Sequence, residues 1–167
     1  MQYLPTAFGQ LAFAWKLLNY GLDGRIDVNA LDAEVTFQDE GMLFVVPPAL
    51  NSQGDLIIAL ENNVTIAFGA AAITLSKARE ENDIALPDPI EDERDQCISL
   101  IYQIRNAFAH DIAEPRWKIR NRYKREYNFA GLQVDLRELD GTYFDYSQIG
   151  GPNGIFCIKD FFADCCL

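Results

Sequence analysis

Residues 97–112 read Cys-Ile-Ser-Leu-Ile-Tyr-Gln-Ile-Arg-Asn-Ala-Phe-Ala-His-Asp-Ile. At about 100° per residue, Cys97, Ile98, Ile101, Ile104, Phe108 and Ile112 share one arc of a helix, while Ser99, Gln103, Asn106 and His110 share the opposite one. The spacing predicts a helix with an apolar face and a polar face. Arg105 is the exception, because it falls within the apolar arc. A charge there must be paired or carried out to a cleft, and Glu61 is a candidate partner. Arg105 and His110 stand about 140° apart on an ideal helix. For them to act together, the arginine must wrap round, the helix must end near Ala109, or a second chain must contribute.

Working outward, the acidic turn Glu91-Asp92-Glu93 suits the positive end of this helix, giving predicted bounds of 91–109. Upstream, 54–80 is a long helix, apolar nearly all round from Ile66 to Leu75, with Gly69-Ala70-Ala71-Ala72 allowing close approach of a neighbour. An N-terminal helix is expected over 5–21, with Pro5 in its first turn and Gly21 as its stop. Glu34-Val-Thr-Phe, then Gln-Asp-Glu-Gly, then Met42-Leu-Phe-Val-Val46 suggest a short hairpin ended by Pro47-Pro48. Downstream the period changes to two. Trp117, Ile119 and Tyr123 alternate with Lys118, Arg120, Arg122 and Lys124, which predicts a strand with one basic face. Paired with Leu132–Leu136, it makes a hairpin spanning about 116–137. A last helix is expected over 153–165.

The chain of 167 residues suits one domain, 1–167, with room for a core. Hydrophobic residues make up 49% and charged ones 23%, which disfavours disorder. No uninterrupted apolar run approaches the roughly 20 residues of a membrane span, so no membrane partner is expected. Leu11–Leu18 lacks the basic flank and cleavage pattern of a signal peptide. Cys97, Cys157, Cys165 and Cys166 follow neither a metal-ligand nor a disulfide spacing, and the chain has a single histidine. No metal and no cofactor are expected, and a reducing cytoplasm is the economical location.

The net charge of −11 argues against a protein that coats nucleic acid. Its distribution is uneven. Six of the 14 basic residues, Arg116, Lys118, Arg120, Arg122, Lys124 and Arg125, lie in one decapeptide; elsewhere 8 basic residues face 25 acidic ones. On one strand face, Arg116 to Lys124 would cover about 26 Å, enough to track several phosphates. The same pattern also describes the solvated face of a hairpin. Tyr123, Tyr127, Phe129, Tyr143, Phe144 and Tyr146 could stack bases, but such aromatics more often pack in a core or hairpin.

The string Ile104-Arg-Asn-Ala-Phe-Ala-His-Asp111, with its Arg-polar-x-x-x-His spacing late in a helical domain, resembles the signature of HEPN domains, named for higher eukaryotes and prokaryotes nucleotide-binding. The resemblance covers about residues 5–22, 54–112 and 152–166. It implies a mainly α fold, an up-and-down four-helix bundle that commonly dimerises, here with a β-hairpin elaboration before the last helix. It also implies a metal-independent endoribonuclease of toxin, abortive-infection or RNA-processing type, with Arg105 and His110 catalytic and Asn106 as polar helper. Arg116, Lys118, Arg120, Arg122 and Lys124 would then hold RNA. Other members of that superfamily are inactive modules that bind RNA, a nucleotide or a partner protein, and that reading stays open. So does an acidic antitoxin or immunity protein that masks a basic partner.

Overall fold

The computed structural model describes residues 3–166. Its first element, α1 (Tyr3–Leu22), buries Leu4, Phe8, Leu11, Ala14 and Leu18, the three-and-four spacing of a single apolar stripe. Gly24, at a φ of +67°, turns the chain out of the helix. A single helical turn follows, α2 (Val28–Leu31), whose N-cap Asp27 accepts the amides of Asn29 and Ala30.

The expected first hairpin is present as β1 (Val35–Asp39) and β2 (Met42–Val46), paired antiparallel from Val35↔Val46 to Asp39↔Met42. Glu40 and Gly41 both take positive φ, the two-residue turn that matches strand twist. All ten strand residues are exposed. At the foot of the hairpin, the Asp32 carboxylate accepts the amides of Ala49 and Leu50, at 2.9 and 2.7 Å.

The long helix α3 (Gln53–Glu81) is capped by Ser52, which accepts the Asp55 amide, and its core face runs from Leu56 to Ala78. Gly21 lies against Leu60: a Cβ there would come within 2.4 Å of the leucine methyl, so glycine sets how closely α1 approaches α3. By length and composition α3 is also apolar enough to cross a membrane, although no uninterrupted run suggested it; 44% of that stretch is buried within the fold.

Helix α4 (Glu93–Phe108) starts at N-cap Asp92 and packs on α3, while α5 (Gly154–Cys166) packs on α4. The four long helices share one core with the aromatic cluster of Phe68, Phe108, Trp117, Phe144 and Tyr146. The fold is mainly helical with two small antiparallel hairpins.

Two expectations are corrected. The wheel of α4 is rotated from its predicted setting: Ser99 and Gln103 are buried, and Tyr102, Arg105 and Asn106 form the half-exposed face. Because α4 packs against α3, α5 and the second hairpin, its buried arc is wider than an apolar stripe and includes polar residues. The second hairpin is also shorter than 116–137. Its strands are β3 (Glu126–Phe129) and β4 (Leu132–Asp135), so Arg116–Lys124 is no part of it. The alternation there is real, since Trp117, Ile119 and Tyr123 are buried between exposed or half-exposed neighbours. Alternation reports which side faces the core, however, and not what the backbone pairs with. Here the Trp117 amide donates to Thr142 O and the Ile119 amide to the Asp140 carboxylate, and residues 121–123 form a 3-10 turn.

Candidate functional site

α4 ends at Phe108, with Ala109 as its C-cap, so His110 lies just outside the helix. Asp111 then accepts the amides of Ala113 and Glu114 in a tight turn, and Ile112 folds back onto α3. Gly69 makes that return fit: a Cβ there would meet Ile112 and Phe108 at 2.8 Å. Of the three ways to join Arg105 with His110, the chain uses the early helix end.

The two residues face a common open cleft of about 470 Å3. Tyr102, Arg105, Asn106 and His110 line it from α4 and its exit; Lys118, Ile119, Arg120 and Asp140 line the other side. The Arg105 guanidinium donates to Asn106 Oδ1 at 3.1 Å. Asn106 thus orients the arginine rather than the histidine. Glu61 is not the partner: it sits about two helical turns before Gly69 and forms no ion pair among the described residues. His110 is exposed and makes no hydrogen bond among the described residues, so its ring is free to turn toward a ligand.

The basic decapeptide divides in two. Lys118 and Arg120 reach the cleft, and neither forms an ion pair among the described residues. Lys124 is instead held by Asp140 at 2.9 Å, and Arg122 by Asp88 at 2.8 Å. Arg125 donates to Ile90 O, and Arg116 lies over the Tyr143 ring, 3.5 Å from its centre. The cleft therefore collects three cations, Arg105, Lys118 and Arg120, without carboxylate partners among the described residues. Its one carboxylate, Asp140, is turned to the Ile119 amide and Lys124, which together hold its pKa below the ordinary aspartate value.

Among the aromatic candidates, Tyr123, Tyr127 and Phe129 are core, and Phe144 and Tyr146 are half-buried. Burial pushes the Tyr127 phenol well above its usual pKa, as expected for a packing tyrosine. Only Tyr143 of the six is exposed. Tyr102, which lines the cleft, was missed although it shares a helix face with Arg105 and Asn106 at spacings of three and four. Asp140 carried only the local signal of an Asp-Gly turn; its place beside Ile119 comes from the tertiary fold.

No group of three or more metal-binding side chains occurs among the described residues. The four cysteines are free thiols, with Cys97 buried in the core. The chain matches no family model, no curated protein and no solved structure.

Proposed function

We propose that this chain is a metal-independent endoribonuclease of toxin or defence type, acting in the cytoplasm as a homodimer. In this reading α1, α3, α4 and α5 form a HEPN-like up-and-down four-helix bundle. The observation that carries it is the meeting of His110 and Arg105 in one open cleft with Lys118 and Arg120. Cleavage of RNA by its own 2′-hydroxyl needs three things: a base to take the hydroxyl proton, an acid to protonate the departing 5′-oxygen, and cations around the phosphorane. Histidine titrates near neutrality and serves either proton role. The Arg105 fork, held by Asn106, matches the geometry of the phosphoryl oxygens and stabilises their developing charge. Lys118 and Arg120 hold the neighbouring backbone phosphates as point and forked charges.

One histidine does not readily donate and accept in the same step. With His110 the sole histidine, a two-histidine mechanism requires two copies at one cleft. The test compares wild type with His110→Ala on labelled structured RNA in excess EDTA, with molecular mass measured on the same samples. The expected result is cleavage by a dimer, reduced at least about 100-fold in the variant, the lower bound for losing a general acid–base group. Expression should be toxic, and His110→Ala should relieve it.

A second reading is a non-catalytic module that binds RNA, a nucleotide or a partner protein such as an antitoxin. It is favoured by one feature: no side chain fixes the His110 ring, whereas catalytic histidines are commonly oriented by a hydrogen bond. Intact RNA in EDTA, with binding that depends on Lys118 and Arg120, selects it.

A further inference from the structure

The β1–β2 hairpin is strongly apolar and exposed: seven of its ten strand residues are large hydrophobics in water. Phe37 stacks on Phe44, and Val35, Val46 and Met42 share that face; Leu43 and Val45 lie on the other. Leu43 is 68% exposed and Phe37 49%. The Phe37 face alone leaves on the order of 450 Å2 in water, the size of the largest patch on a typical monomer, roughly 300–600 Å2, which is often functional. A two-stranded hairpin is marginal by itself, and an apolar one exposed on both sides calls for a third layer.

A matching surface lies on the outer face of α3. No charged residue occurs from Asn62 to Ser76, although Ile66 and Ile73 are 49% and 39% exposed with Ala70 between them. Lys77 ends this uncharged stretch; its 3.5 Å pair with Glu81 is solvent-exposed and weak, so a second carboxylate can displace it. From Ile66 to Lys77 the helix rises about 16 Å, close to the ~17 Å of a five-residue strand. The tip of the hairpin, Asp39-Glu40, is acidic.

We propose that the β1–β2 arm of one copy lies along the uncharged face of α3 in a second copy, and reciprocally, with the acidic tip at Lys77. The exchange is a two-fold arrangement in which each copy gives an arm and receives one. It covers both apolar surfaces at once, whereas arm-on-arm stacking leaves Ile66 and Ile73 in water. One face of the arm supplies about half of the ~800 Å2 per partner of a standard interface, and the α3 face that each copy also gives adds to it. The seam passes near the His110 segment: Ile112, two residues after His110, sits on Gly69, between Ile66 and Ile73 along α3. The exchange thus gives the second copy a route to the His110 segment. Only this consequence rests on the ribonuclease reading.

The test uses two variants of the full chain with wild-type circular dichroism, Phe37→Ser/Leu43→Ser/Phe44→Ser in the arm and Ile66→Glu/Ile73→Glu on the face. Mass is measured by light scattering at micromolar concentration. Wild type is expected to be a dimer, and each variant a monomer with association weakened at least about 100-fold, the loss expected when central apolar anchors are removed. Mixing the variants should restore a heterodimer, since one arm and its receiving face remain intact. Lys77→Glu should weaken association and Asp39→Lys/Glu40→Lys should recover it. A monomeric wild type overturns the proposal, including one that instead binds lipid vesicles through the arm. So does either variant that stays a dimer, the result expected of arm-on-arm or face-on-face contact, and so does a mixture that stays monomeric. A dimer that passes these tests and leaves RNA intact sinks only the ribonuclease reading.

Discussion

Lys118 and Arg120 differ from Arg122 and Lys124 in what already neutralises them. The first two face the cleft without ion pairs, while the second two are tied to Asp88 and Asp140. A phosphate that binds a free cation releases counterions, but one that binds a paired cation must first displace a carboxylate. Lys118→Ala/Arg120→Ala is therefore expected to weaken RNA binding and flatten its dependence on log salt by about 0.7–0.9 per lost contact. Arg122→Ala/Lys124→Ala should change the slope by less than half as much. Equal effects would mean that the whole decapeptide is one track. The sequence showed the concentration of charge but not this division, because Asp88 and Asp140 lie 34 and 16 residues from their partners. The Arg105–His110 pair was legible as a spacing, and the condition for its meeting, an early helix end, was legible too. Which side of α4 faces water was not, since burial of Ser99 and Gln103 depends on three neighbours packing round one helix.

Gly69 links α3 to the loop that carries His110. In Gly69→Ala the new methyl would press on Ile112 and Phe108, an overpacking expected to cost about 1–3 kcal/mol. Because Ile112 is the softer neighbour, the 109–114 turn should shift. Thermal unfolding and hydrogen exchange at Ala113 and Glu114 would show both effects; a stable variant with unchanged protection refutes the coupling. Gln103, at the heart of α4, is 1% exposed, and its amide finds no partner among the described residues. Replacing it with methionine of similar volume removes an unsatisfied group, and should stabilise the fold by about 1–3 kcal/mol in denaturant titration. A loss would show that the amide is satisfied in solution. The first hairpin was readable because two short segments rich in β-branched and aromatic residues flank the polar Gln-Asp-Glu-Gly stretch and stop at Pro47-Pro48. The basic segment was misassigned because period two is shared by strands and by any extended chain laid across a core.

The wall of the cleft is an assembly of distant parts, and acid should loosen it. Asp140 has a folded pKa below its unfolded value, so its contribution is present above about pH 4, the ordinary aspartate range. It is lost as pH falls through the lower folded value. Hydrogen exchange of the Ile119 amide should accelerate over that interval in wild type, and should already be fast at neutral pH in Asp140→Asn if the charge matters. A variant with wild-type protection at pH 7 would show that the hydrogen bond alone suffices. The overall helical class was legible because four segments carried periodic apolar residues and recognisable ends. The shape of the cleft was not, since residues 115–149 reach it through tertiary contacts rather than local preference.

The clasp at Asp32 has a bearing on how this molecule can vary. By drawing Ala49 and Leu50 back to α2, it brings the two ends of residues 33–48 together before the hairpin begins. What lies beyond is topologically a graft: it can lengthen, shorten or change sequence without altering the path from α1 to α3. Replacing 34–47 with a short glycine-serine turn should leave the helical melting transition in place. The helical core and its hairpin can therefore diverge under separate selection, one for a stable scaffold and the other for the identity of a companion.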